Sequence, residues 1–257
     1  SMVVCNTLSG AANLHFYRAS DGAFGSSGSW TQFTGGSLDG ESLQSVAGQG
    51  RILGFDTLGN QLVALGLDGT VDYYAPGTGG VLIDNSNTTL AASGPNASET
   101  WTNLVANNRI LGVRSSFNIW ILDPDGSAST YLSSTGAAGF DDSPTGPGLT
   151  DTGLTTWEDY LNAGRSFGSF SDNEIIHLRD DGSLDSFDVA NGNRTFDDTS
   201  VLLSGGIFDG LTWADVAPYA RGGDGNGFIG IVVPEPSSAA LFVGLAAVTL
   251  VFTRRRG

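Results

Sequence analysis

Between residues 13 and 233, short apolar stretches alternate with polar residues, and each is bounded by glycine or by an Asp-Gly pair. Period-two alternation around Asp-Gly predicts β-hairpins, because glycine accepts the positive φ that a tight turn requires. Four such segments stand out: NLHFYRASDGAFGSS from Asn13, NQLVALGLDGTVDYY from Asn60, NIWILDPDGSASTYL from Asn118 and NEIIHLRDDGSLDSF from Asn173. A shorter β-like stretch precedes three of them, RILGF at Arg51, RILGV at Arg109 and RSFGSF at Arg165. Helical periodicity is nearly absent before the last twenty residues or so.

The spacing of these segments makes the body a repeat. Trp101, Trp157 and Trp213 lie 56 residues apart, and each is followed eight positions later by an arginine, Arg109, Arg165 and Arg221. Leu43 and Arg51 hold the same places in an upstream copy. An asparagine opens each second strand, at Asn60, Asn118 and Asn173. The hairpin at Asn13 lacks a first strand, and a strand without a hairpin, GFIGIVV, follows Arg221 at the far end. The units are therefore 43–100, 101–156, 157–212, and 213–233 completed by 13–42. A permuted arrangement of this kind suits a closed ring, which leaves no open sheet edge. The expected fold is all-β: a β-propeller of four blades of about 56 residues, closed by pairing of the N- and C-terminal strands. Five blades are the alternative, with the extra unit in 80–100 or 135–156.

Residues 234–257 depart from this pattern. Pro234-Glu235-Pro236 is followed by an uncharged, mostly apolar run from Ser237 to Thr253 and then by Arg254, Arg255 and Arg256. The run is long enough to cross a hydrocarbon core as a helix, and the arginines would hold its end on the cytoplasmic side. The prolines keep the segment before it extended. An ordinary single-span anchor would need the same apolar run and basic stop. The Pro-Glu-Pro tripeptide at this place resembles the PEP-CTERM sorting signal. That resemblance implies processing by an exosortase-type protease, export to the cell envelope, surface or extracellular matrix, and transient anchoring in the inner membrane. It covers about a tenth of the chain. Residues 1–12 read as a tag or the tail of an export leader, with Cys5 as a poorer lipoprotein candidate.

Composition narrows the partners. There is no lysine, and 11 arginines face 27 acids for a net charge of −16. A surface this acidic repels nucleic acid and anionic lipid, so membrane contact is expected only through the C-terminal segment. One cysteine excludes an intrachain disulfide. No catalytic motif is present, and catalytic residues are assigned to none; neighbouring acids are expected by chance in such a chain. Calcium is the ion of choice if there is one, with Asp123 and Asp125, and Asp224 and Asn226, as candidate oxygen ligands on glycine-rich loops. The bland reading of those loops is turn-making.

The repeated Trp, Arg and Asn admit two readings. They build the scaffold, or they line equivalent pockets in which an indole stacks on a sugar and Arg and Asn bind hydroxyls. The segment 213–231, in which Trp213 precedes GGDG and a strand, is followed in the repeat by strand–Asp-Gly–strand hairpins. This pattern resembles the blades of tachylectin-like propeller lectins, and that resemblance implies carbohydrate binding. The expected function is an exported, monomeric binding or structural module, with extracellular polysaccharide as partner; an extracellular polysaccharide hydrolase or lyase is the alternative.

Overall fold

The computed structural model describes residues 2–5, 12–18, 21–30, 32–56, 61–114, 117–140, 144–147, 154–171, 173–197, 201–216, 220–222 and 228–233. The sorting segment 234–257, with Pro234, Glu235, Pro236 and its helix, lies outside them, as do Asn60, Asp224 and Asn226. Among the described residues no helix is long and apolar enough to cross a membrane.

Among the described residues there are four mostly antiparallel sheets. The first runs β4 (Ile52–Asp56), β5 (Gln61–Leu65), β6 (Val71–Tyr74) and β7 (Val81–Ile83) in order. The second is β8 (Ile110–Arg114), β9 (Asn118–Leu122) and β10 (Ala128–Leu132). The third is β11 (Ser166–Ser171), β12 (Glu174–Leu178), β13 (Leu184–Asp188) and β14 (Arg194–Asp197). The three Asp-Gly hairpins at Asp68, Asp125 and Asp181 therefore form as the alternation predicts. Residues 80–100 and 135–156 contribute β7 and connections, and among the described residues no further sheet.

Both chain ends build the fourth sheet. Its order is β15 (Ala220–Gly222), β16 (Phe228–Val233), β1 (Met2–Cys5), β2 (Ala12–Arg18) and β3 (Phe24–Trp30), with β16 also paired to β2. The first strands of the sheets touch in cyclic order: β4 with β8, β8 with β11, β11 with β15, and β15 with β4. Glycine permits that approach. A Cβ on Gly54 would stand 2.8 Å from Val113 Cγ2, and the ladder bulges between Ile52 and Gly54.

The expected equivalence of the N-terminal hairpin is one strand out of step. Tyr17 donates its hydroxyl to Gly205 O at 2.9 Å and accepts from Phe208 N–H at 3.2 Å. The loop it meets, SGGIFDG at 204–210, matches TGGSLDG at 34–40, which packs on Tyr74. Parallel bridges Ala23–Ser204 and Gly80–Thr34 fix the same register. Tyr17 thus occupies the place of Tyr74, and β2 and β3 are the third and fourth strands of their sheet. Asp21-Gly22 is equivalent to Thr78-Gly79 and Thr135-Gly136, not to Asp68-Gly69. The backbone agrees: φ is 66° at Gly22, 72° at Gly79 and 67° at Gly136, against 85° at Gly69, 88° at Gly126 and 86° at Gly182. GFIGIVV is consequently the second strand, β16, and the first is β15. The chain ends fall where the other sheets have their second turn, and β1 lies there.

Among the described residues α-helices are few and short, four in number. They are α1 (Leu43–Gly48), α2 (Trp101–Ala106), α3 (Trp157–Asn162) and α4 (Trp213–Val216), each leading into a first strand. Ser42, Thr100 and Thr156 cap the first three by accepting an amide at Ser45, Asn103 and Asp159. At α4, Thr212 and Asp215 exchange side-chain and backbone bonds in a reciprocal box. The apolar side of each helix enters a core between neighbouring sheets. Leu62, Ala64 and Tyr74 face the cluster that holds Leu43 and Phe16, while Val63, Leu65 and Tyr73 face the cluster that holds Trp101 and Tyr131. A third cluster joins Trp120 to Trp157, Ile175 and Phe187. Strand alternation therefore serves two cores at once, which is why β5 and β6 are buried on both faces.

Candidate functional site

The repeated residues are placed by the helix-to-strand junction. Trp101, Trp157 and Trp213 each open a helix and are fully buried. Trp157 Nε1 donates to Pro144 O at 2.7 Å. With both faces packed, these indoles present no surface to a sugar ring.

The arginines follow the helices and fasten the next hairpin. Arg109 donates from Nε and Nη2 to Leu122 O, at 2.9 and 2.6 Å, and also to Asn96 Oδ1. Arg51, buried, donates from Nη1 to Leu65 O at 3.3 Å. Arg165 pairs with Asp180. The main chain repeats the link, since the amides of Leu65, Leu122 and Leu178 donate to the carbonyls of Arg51, Arg109 and Arg165. Arg221 lies in β15; its side chain is outside the described residues.

The asparagines do not form one equivalent set. Ile52 pairs with Ala64, Ile110 with Ile121 and Ser166 with His177, so Ala64, Ile121 and His177 share a rung. Counting back, Asn60 and Asn173 stand four residues before it and Asn118 three. Asn118 opens β9, while Asn173 is exposed and its carbonyl accepts from Val189 N–H at 2.7 Å.

The two candidate oxygen ligands among the described residues, Asp123 and Asp125, are committed to the scaffold. Asp123 is buried and accepts from Ser127 at 3.1 Å, Ser129 at 2.5 Å and Asn96 Nδ2, which joins it to Arg109. Asp125 accepts the hydroxyl and amide of Ser127, and that pair of bonds holds its carboxyl below the usual range. Asp181 does the same with Ser183. At Asp68 burial pushes the carboxyl up, but the Thr70 hydroxyl and amide outweigh it and leave it lowered. Among the described residues no three metal-ligating side chains converge.

Sequence reasoning missed one cavity and one buried base. An open cavity of about 250 Å³ lies where the first three sheets converge on the cycle of first strands. Equivalent positions line it: Ile52, Ile110 and Ser166, then Leu53, Leu111 and Phe167, with Gly50, Asn108 and Gly164 at the rim. No acidic, basic or histidine side chain is among its described lining residues, so the paired carboxylates of a hydrolase are not met there. Beside Ser166 on the neighbouring strand, His177 is fully buried among Trp157, Tyr160 and Phe187, with ring centroids 5.6, 4.0 and 5.8 Å away. Burial pushes its imidazole down to about 3, so it is neutral at physiological pH. The signals were faint. The cavity follows from the residues just after each repeated arginine, and His177 replaces an apolar residue of the repeat.

No family model matches this chain, and no curated protein matches it. Among solved structures, the computationally designed Ika8 protein is similar at 15% identity over 74% of this chain, with a TM-score of 0.24. BamB from Moraxella catarrhalis is similar at 14% identity over 62% of this chain, with a TM-score of 0.22. The chain spans 46% of the Ika8 chain and 40% of the BamB chain.

Proposed function

We propose that this chain is a four-bladed β-propeller, exported and delivered to the cell surface or matrix by exosortase-type processing of residues 234–257, where it acts as a binding or structural module. The cyclic contact of β4, β8, β11 and β15 supports the ring. The observation that carries the delivery reading is that β16 ends at Val233, the residue before Pro234. Processing beside Pro234-Glu235-Pro236 then leaves every described strand intact. Extracellular polysaccharide is the partner class implied by the two resemblances, and the repeated Trp and Arg act as scaffold. Truncation after Val233 tests the reading in a bacterium that carries an exosortase. Membrane association and the processed form should both disappear, while the thermal melt of the purified protein stays within a few degrees of the full chain. A truncated chain that still fractionates with membranes overturns it.

A further inference from the structure

The seam of the fourth sheet differs from the matching place in the other three. There, two rungs join the second and third strands directly just before the third-strand aromatic. They are Ala64–Asp72 and Leu65–Val71, Ile121–Ser129 and Leu122–Ala128, and His177–Asp185 and Leu178–Leu184. The turns at Asp68-Gly69, Asp125-Gly126 and Asp181-Gly182 then close that end covalently. In the fourth sheet Phe228, Ile229 and Gly230 pair with Arg18, Tyr17 and Phe16, and the two strands then part. β1 fills the gap. Met2, Val3, Val4 and Cys5 pair with His15, Leu14, Asn13 and Ala12, while Val3 and Val4 also pair with Val232 and Val233.

A strand in this gap finds main-chain partners along both of its edges, and no turn bars its entry. Direct closure would offer only the rungs His15–Ile231 and Leu14–Val232, and open edges favour added strands. The pairing also sets direction. β1 is parallel to β16, with Met2 at the apex, where the next residue of β2, Phe16, already pairs with Gly230. A chain continuing in the sheet plane beyond Met2 would meet that rung, so the gap takes a strand by its N-terminal end. The occupant seen, Met-Val-Val-Cys, has uncharged side chains and two β-branched residues, which suit a strand. We propose that the gap between β2 and β16 is a docking site for the free N-terminal end of a partner polypeptide, an extended, uncharged strand that replaces β1 once an export leader ending near residue 12 is removed. That vacancy rests on the export reading.

The full chain, with a specific protease site set within residues 6–11 and cut after folding, tests the seam. Dialysed free of its fragment, the cut chain should take up a dye-labelled Ser1–Thr7 peptide carrying Cys5→Ser, saturably by fluorescence anisotropy. The uncut chain, whose β1 is tethered, should bind it about tenfold more weakly. Val3→Pro in the peptide, or an extension of about ten residues ahead of Ser1, should also weaken uptake about tenfold. If the cut chain unfolds on losing its fragment, the peptide should restore the native ¹H–¹⁵N spectrum. A native cut chain that takes up no peptide overturns the site, as does an unfolded one that the peptide does not restore. Equal binding of the proline peptide overturns strand pairing, and equal binding of the extended peptide overturns the need for a free end. The intact mass of the exported protein should show the leader residues gone. Their retention overturns the vacancy through the export reading, a failure that the peptide assay cannot produce.

Discussion

The fourth sheet repeats the four strands of the first, with β1 added between the second and the third, and is joined differently. In the first, a five-residue connection through Asp68-Gly69 links the second strand to the third, and the Asp68 carboxylate holds it by the Thr70 hydroxyl at 2.7 Å. In the fourth, the second and third strands come from opposite ends of the chain and meet only through hydrogen bonds, Phe228–Arg18, Ile229–Tyr17 and Gly230–Phe16, with β1 added alongside. A turn-joined sheet loses little loop-closure entropy, and loses it locally, whereas the end-joined sheet must close a loop that spans nearly the whole body, which costs more. Those three sheets therefore have a local route to their structure, and the fourth couples residues near 17 to residues near 229. That coupling predicts that the body unfolds as one cooperative unit.

The largest way to break this comparison is to remove one half of the end-joined sheet. Deleting residues 1–30 strips β1, β2 and β3, exposes Phe16's partners in the first-sheet core, and should abolish a cooperative thermal transition by near-UV circular dichroism, a loss of more than about 5 kcal/mol. Trp157→Ala and Trp213→Ala compare the same buried position beside a turn-joined and the end-joined sheet. Each should cost about 3–5 kcal/mol in urea denaturation, and a much smaller cost at Trp213 would show that the end-joined interface is loosely packed.

His177 offers a pH test inside a turn-joined sheet. Its imidazole is lowered from 6.5 to about 3 by burial, so between those values the unfolded chain takes up a proton that the native one refuses. Native stability should therefore fall as pH drops, by roughly 1.4 kcal/mol per unit from this group. His177→Phe should remove that share of the slope between pH 6 and 4.5, and an identical slope in the variant would place His177 in contact with water. Tyr17→Phe, which loses the bonds to Gly205 and Phe208, should cost about 1 kcal/mol, comparable with Tyr74→Phe if the two tyrosines are equivalent. The smallest effect belongs to a circular permutant that joins Val233 to Ala12 through an Asp-Gly-Ser turn and opens the chain at Asp68-Gly69. It exchanges the roles of the two sheets and leaves out β1, whose pairing the new covalent turn replaces, and its melting temperature should lie within a few degrees of the parent.

The hairpins were legible in the sequence because alternation and Asp-Gly are local signals, and each strand needed only its own residues to be recognised. The register of the fourth sheet was not, because Asp21-Gly22 imitates Asp68-Gly69. The residue after the glycine separates them: Thr70, Ser127 and Ser183 carry hydroxyls that bond back to the aspartate, and Ala23 carries none. The short helices escaped because six residues are too few to show a period, although Thr100-Trp101 with Asn103 and Thr156-Trp157 with Asp159 spell out caps. The role of the arginines was invisible for a different reason. Their partners at Leu65 and Leu122 are main-chain carbonyls, which leave no mark in a sequence. The cavity was hidden in the same way, since Ile52, Ile110 and Ser166 are brought together only by contact between first strands.

The strand β1 has a mechanical consequence. It runs parallel to β16, with Val3 opposite Val232 and Val4 opposite Val233. Tension applied between Met2 and Val233 acts along these two strands in opposite directions, so the pairs share the load and must slip together. Antiparallel β2 and β16 alone would instead be peeled apart one rung at a time. A protein held at Met2 and pulled at Val233 would thus be resisted in shear where β1 lies beside β16.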